Sequence, residues 1–250
     1  MYDTLQTIFP STLRIVEWHS PSFTPGSGEG SDLDLPSAYS TRSSYYGVGG
    51  IPHSQFNGDS SSVGGAQCGN YDNMFDDYNN AIINLSSQNT PYQIDISGTY
   101  TSAEDAGAPN SNVAYDVTLL LDEDIDSENM EVDLFIIEDN IMSYWTACGG
   151  FDHNANNVAR RWITKVEDQK LPISISSSGE SEVFSGSFDL GSGWVDENIY
   201  IVAAIYNKDT YQVYQAFENN ILNLDPDPDA DGIVNINDNC PYVYNPDQED

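Results

Sequence analysis

Carboxylates stand at every second residue near the end of the chain, at Asp227, Asp229 and Asp231, and Gly232, Asn235 and Asp238 follow. No other stretch restricts the fold as strongly, because such charges enter an apolar core only with a cation or full hydrogen-bonding partners. The spacing is that of an oxygen-rich calcium loop, with acids at positions 1, 3 and 5, a Gly at 6 for the sharp turn and an acid at 12. Ca2+ takes about 6–8 oxygens, and alternate residues of a tightly turning loop aim several of them at one point. Ile233, at position 7, would contribute only its backbone carbonyl, so its side chain is free to be apolar. An acidic run on its own usually means a solvated tail. Here the regular alternation with a glycine in register favours metal binding, with Asp227, Asp229, Asp231, Ile233, Asn235 and Asp238 as ligands of one Ca2+.

Downstream come Asp238-Asn239-Cys240-Pro241 and then Asn245-Pro246-Asp247-Gln248. With the loop before them, these residues resemble a thrombospondin type 3 repeat, and the resemblance spans the segment 225–250. It implies calcium held by loop carboxylates, an extracellular setting, and little core apart from metal and disulfides. In that family the cysteine pairs with one in a neighbouring repeat. The sequence ends at Asp250, so the repeat reads as incomplete and Cys240 as lacking its usual partner.

The acidic balance extends over the whole chain: 40 acids against 7 Lys and Arg give a net charge of −33. That excludes nucleic acid and anionic membrane as partners, since both are bound through Lys and Arg. It suits calcium, high salt or plain solubility, and the scarcity of Lys points to a saline extracellular setting. A hydrophobic content of 39% and an aromatic content of 12% suffice for real cores, so the chain is not disordered. Its 250 residues are enough for two modest domains and a tail. No apolar run is long enough to span a bilayer. Met1-Tyr2-Asp3 begins no signal peptide, which sets the N-terminus against an extracellular tail and makes the chain read as a mature form or a fragment. The three cysteines, Cys68, Cys148 and Cys240, form no framework and leave a Cys68–Cys148 bridge open.

Helical spacing of Tyr2, Leu5, Ile8 and Phe9, ended by Pro10, predicts a first helix. Residues 13–18 read as a strand with His19 at its end, and a second helix covers part of 37–46. Pro52 then opens an extended run, Asn57-Gly58 signals a hairpin, and 71–85 carries an apolar stripe of Tyr71, Phe75, Tyr78, Ile82 and Leu85. This order resembles the thioredoxin fold from its active-site helix onward. The residues Arg42, Tyr45, Tyr46, Gly47, Val48, Gly50, Pro52, Phe56 and Gly58, with Val63-Gly64-Gly65 after them, are similar to a pattern of the outer membrane protein 28-related family of bacterial surface proteins. The resemblance covers residues 1–217 and implies a cis Ile51–Pro52 bond. Such proteins carry a strand and a Cys-x-x-Cys that opens the first helix, where the helix N-terminus makes a thiolate available. No cysteine stands near that helix here, so Met1 reads as an internal position and the chain as lacking the redox chemistry. His19 and His53 without nearby Cys or a helical His pair read as structural, and no GxSxG elbow supports a hydrolase.

Beyond Thr90-Pro91 the period changes to two. Strands are expected at 93–101, 114–121, 131–137, 158–166, 182–190, 199–206 and 211–217, with Asn207–Thr210 as a hairpin turn. Seven short strands between Gly, Ser, Asp and Asn clusters predict an antiparallel sandwich of immunoglobulin-like kind. Asp122, Glu123, Asp124 and Asp126 form an acidic turn, read as solvated in preference to a second calcium site. Trp145, Trp162 and Trp194 suit either a core or a sugar-binding face.

The expected fold is therefore α+β: an incomplete thioredoxin-like α/β domain (1–90), an antiparallel immunoglobulin-like β-sandwich (91–222) and an acidic calcium-loop tail (223–250). The function that follows is a non-enzymatic, calcium-binding secreted or cell-surface protein with an extracellular protein or glycan as partner. The alternative is a thiol–disulfide oxidoreductase whose Cys-x-x-Cys lies upstream.

Overall fold

The computed structural model describes residues 1–19, 36–65, 71–145, 149–166, 170–225, 231–233, 240 and 243–249. In chain order, helices α1 (Tyr2–Ile8) and α2 (Pro36–Tyr45) precede a hairpin of β1 (His53–Phe56) and β2 (Ser60–Val63), and α3 (Asp72–Ser86) follows. Strands then dominate: β3 (Tyr92–Thr101), β4 (Asn112–Leu121), β5 (Met130–Glu138), β6 (Ile141–Trp145), β7 (Phe151–Ala155), β8 (Val158–Trp162), β9 (Leu171–Pro172), β10 (Ser181–Asp189), β11 (Ile199–Asn207) and β12 (Val213–Asn220). The fold is mixed α and β, and its ladders are antiparallel. The Ile51–Pro52 bond is cis, as the resemblance implies.

Two sheets face each other. One has the order β10-β4-β3; the other has the order β12-β11-β5-β8, with β9 also on β5. In β4 the alternating Val113, Tyr115, Val117, Leu119 and Leu121 are all buried, and they meet Val132, Leu134 and Ile136 of β5 and Ile199, Ile201 and Ile205 of β11 in the main core. Each such side chain contributes about 1.5–3 kcal/mol when fully buried, which makes this interface the chief stabilising element. Along one edge the side-chain amides of Gln215 and Asn219 donate to the carbonyls of Tyr92 and Ile96, at 3.1 and 2.9 Å, and tie β12 to β3.

Strand β5 is buried on both faces along its whole length. The alternation of Asp133 and Phe135 with Leu134 and Ile136 predicts one core face and one wet face, and the structure differs. Helix α2 and the run 13–18 lie across the second face, where Ala38, Val16, Trp18 and Tyr45 pack on Phe135, Ile137, Trp162, Val202 and Ala204. A separate small core joins α1, α3 and β1 through Leu5, Tyr78, Ile82 and Phe56.

Two local expectations need correction. Residues 13–18 form no ladder: Glu17 makes one parallel bridge to Val158, through bonds of 2.7 and 2.9 Å. A strand is defined by its partners, and among the described residues this segment has one point of pairing. The strand expected at 158–166 stops at Trp162, and one helical turn, Ile163–Val166, follows. The turn brings the Thr164 hydroxyl within 2.7 Å of the Asp133 carboxylate and sends Ile163 into the core. The hairpin β6–β7 lies outside the strands expected from the period and projects Met142, Tyr144 and Phe151 to solvent.

Glycine is required where the β1–β2 hairpin meets the β11–β12 turn. Gly58 has φ +70°, and a Cβ there would lie 2.2 Å from the carbonyl oxygen of Tyr211. The junction is completed by Val213, whose N–H donates to Asn57 at 2.8 Å, and by the stacked rings of Tyr45 and Tyr211, 4.1 Å apart.

Candidate functional site

Helix α2 carries Arg42 in its last turn, over the covered face of the second sheet. Its Nη1 donates to Asp133 Oδ2 at 2.8 Å, while Asp133 Oδ1 accepts from Trp162 Nε1 at 2.9 Å and Thr164 Oγ1 at 2.7 Å. The guanidinium lies 5.2–5.8 Å from the ring centres of Tyr45, Tyr46, Phe135 and Trp162. A buried carboxylate costs several kcal/mol unless it is paired and hydrogen-bonded, and here all its partners are supplied. Beside it Tyr206 donates to Glu131 at 2.8 Å, and burial raises the Tyr206 phenol above its ordinary range.

A cavity of about 630 Å³ opens between this anchor and the small N-terminal core. One wall is the consecutive run 13–19 and another the run 51–58; Phe135, Val202, Ala204, Val213 and Ala216 form the floor. The space is one that solvent or another group fills. Its lining is mainly apolar with a few polar groups, at the junction of two parts of the chain, which is the usual setting of a binding site. Each charged side chain in the wall has a partner: Arg14 Nε lies 3.5 Å from Glu218, Arg42 is on Asp133, and Glu17 is 3.8 Å from His19. Tyr2, Ser54 and Tyr78 form a hydroxyl chain with 2.6 Å links, and burial pushes the Tyr2 and Tyr46 phenols up. Phenols so raised stay protonated near neutrality. They serve as hydrogen-bond donors and not as general bases.

Of the predicted calcium ligands, Asp231 and Ile233 are described, whereas Asp227, Asp229, Asn235 and Asp238 lie outside the described residues. Asp231 is buried; its Oδ1 accepts the N–H of Ile233 at 2.7 Å and its Oδ2 that of Asn245 at 3.1 Å. Gly232 between them has φ +93°, a conformation that favours glycine. The Asn245 carbonyl accepts the N–H of Gln248 at 2.7 Å. Among the described residues no group of three or more His, Cys, Asp or Glu converges on one point. Cys68 and Cys148 also fall outside the described residues.

The acidic turn uses its carboxylates locally: Asp122 accepts from Gln93, Asp124 from the N–H of Ser178, and Asp126 from the N–H of Glu128. Trp162 is 2% exposed and cannot stack on a sugar, and Trp194 packs against the core with Arg160 over its ring at 5.4 Å. His53 lines the cavity, its Nε2 3.3 Å from Gln55 Oε1. No described helix is long and apolar enough to cross a membrane. Reading the residues singly missed Asp133 as the partner of Arg42 and missed the cavity itself. The available signal was a lone Arg in helix α2 of a chain with 7 basic residues.

No family model matches the chain, and no curated protein does. Among solved structures it is similar to HBP35 of Porphyromonas gingivalis, with a TM-score of 0.48 and 14% identity over 59% of this chain. The match spans 46% of that protein's length. It is also similar to a domain of the outer membrane lipoprotein Omp28 from Porphyromonas gingivalis, with a TM-score of 0.35 and 18% identity, covering 54% of this chain and 90% of that one. Both are partial likenesses of chain course; the fold described above stands on this chain's own ladders.

Proposed function

We propose that this chain is a non-enzymatic calcium-binding protein, secreted or held at the cell surface, with an adhesive or structural role toward an extracellular protein or glycan. In this reading residues 1–90 are a thioredoxin-like unit of the outer membrane protein 28-related kind, 91–222 an immunoglobulin-like sandwich, and 223–250 a thrombospondin type 3-like repeat. The observation that carries it is the conformation around Asp231. Its carboxylate closes the turn onto Ile233 and reaches the main chain of Asn245, with Gly232 at positive φ where a calcium loop needs its sharp turn. The alternating Asp227 and Asp229 precede it and Asn235 and Asp238 follow. Affinity in this reading belongs in the weak range of extracellular calcium modules, about 10⁻⁴–10⁻³ M.

Calorimetric titration of the full chain with Ca2+, beside an Asp229→Ala/Asp231→Ala variant, tests this. The expected result is a saturable heat in the parent that is lost in the variant. Equal heats from the two would remove the calcium assignment.

A further inference from the structure

The edges of the sandwich are not treated alike. Strands β3 and β12 close on each other through Gln215 and Asn219, and the N–H of Gly98 on β3 donates to the Leu224 carbonyl at 2.7 Å. The rim of β8 carries the Glu17 bridge at Val158. Strand β10 ends its sheet, with β4 on one side and, among the described residues, no strand on the other. Its ladder with β4 runs unbroken from Ser181 on Leu120 to Asp189 on Asn112. Past both ends the same register continues: the N–H of Leu190 donates to Ser111 and that of Leu121 to Glu180, at 2.9 and 3.0 Å. Bonded and non-bonded positions alternate in an antiparallel pair. The even-numbered residues of β10 therefore bond to β4, and Val183, Ser185 and Ser187 direct N–H and C=O away from it. Among the described residues no acceptor meets those three N–H groups.

Sheets blunt a free edge with Lys, Pro, a bulge or a very short strand. Strand β10 is nine residues long, has no Lys and no Pro, keeps one register and leaves Val183 54% exposed. What remains to hold copies of this edge apart is charge, and charge also selects what fits. Strands β10, β4 and β3 carry Glu182, Asp189, Asp116 and Asp95 and neither Lys nor Arg. The odd-numbered residues of β4 face the core, so Asp116 lies on the outer face. Asp95 and Asp189, opposite Thr118 and Asn112, share that face. With −33 on the whole chain, a second copy is repelled and a cationic strand is drawn in. On the inner side of the same edge Phe184 and Phe188 turn to the core. A guest strand that alternates cationic and apolar side chains matches both sides at once.

We propose that β10 is a docking edge for an extended, cationic segment of a partner polypeptide, which adds a strand to the sheet β10-β4-β3. Residues directly opposite in a ladder share a face, so the guest residues bonded to Val183, Ser185 and Ser187 are the cationic ones on the outer side. The docking edge needs neither calcium nor the cavity, and it stands if the loop around Asp231 binds no metal.

Hydrogen exchange on the full chain without calcium, read residue by residue, tests it. The probe is a capped peptide of nine residues, the length of β10, alternating Lys and Val. One control is the same peptide with the backbone nitrogen of every Lys methylated, which keeps the charge and removes the donors. A second has Glu in place of Lys. The Lys-Val peptide should slow exchange about ten-fold or more at Val183, Ser185 and Ser187, while Phe184 and Gly186, already bonded to β4, stay as they were. Both controls should leave all of these amides unchanged. Val183→Lys with Ser187→Lys, at two exposed positions, should abolish the protection by like charge; if that variant does not fold, the three peptides still decide. Absence of slowing with the Lys-Val peptide, equal slowing by either control, or slowing confined to other strand edges would each overturn the proposal. A dimer in sedimentation of the chain alone, with those three amides already protected, would overturn it too, since a second copy would then be the occupant.

Discussion

Arg42 is held by a carboxylate on one side and by four aromatic rings around it. Asp133 is 3% exposed, and its partners are that guanidinium and the Trp162 and Thr164 donors. Arg42→Ala should cost about 3–5 kcal/mol, since it strands a buried carboxylate and empties a packed site. Arg42→Lys keeps the charge but loses the planar stacking, and should cost roughly 1–2 kcal/mol. Adding Asp133→Asn to Arg42→Ala should recover part of the loss, because the stranded charge goes with it. Urea unfolding midpoints measure all three. A loss below about 1 kcal/mol for Arg42→Ala would mean that the face is held by apolar packing alone.

Among the elements, the β1–β2 hairpin docks on the β11–β12 turn through one glycine. Gly58→Ala meets the Tyr211 carbonyl oxygen and a φ of +70° together. It should cost about 2–3 kcal/mol, and protease susceptibility should rise first in residues 1–63. Unchanged stability with unchanged proteolysis would show that the junction yields freely. The elements differ in how far they were legible. Strand β4 was readable because every second residue is large and apolar while the other face is partly wet. On β5, Asp133 and Glu131 look like a solvent face, but Arg42 and Tyr206 satisfy them under cover. Only contacts distant in sequence reveal that, although Phe135 and Ile137 on the same face hint at it. The run 13–18 has strand composition but, among the described residues, one bridge, because pairing is a property of neighbours and not of the segment. The cavity was illegible for the same reason. Its two walls lie about forty residues apart in the chain and its floor belongs to strands far beyond both.

At the scale of the whole molecule, the excess of acids sets how stability responds to pH. Burial raises the carboxyls of Glu138, Asp139 and Glu218 above their ordinary range; Arg160 and the Val195 N–H partly oppose this for Glu138, the Asn157 N–H for Asp139 and Arg14 for Glu218. A carboxyl whose folded-state value is raised binds its proton more tightly in the native chain. Its contribution is full below the unfolded value and is lost as pH rises through the folded one. Glu180 has the opposite sign, held low by the N–H groups of Ser176 and Ser177, but it is exposed and screened by solvent. General repulsion at a net charge of −33 acts in the same direction as the three buried acids, since protonation relieves it. The melting temperature should therefore rise by several degrees between pH about 7.5 and about 5.5, where 1 kcal/mol is worth about 2–4 °C in a chain of this length. Added NaCl should raise the value at the higher pH and narrow the gap, because screening weakens repulsion but leaves buried groups largely untouched. Glu138→Gln with Glu218→Gln keeps the hydrogen-bonding shape and removes two of the three titrations, so it should flatten the part of the slope that survives high salt. A melting temperature that falls toward pH about 5.5 would mean that carboxylates held low by their partners outweigh the buried ones.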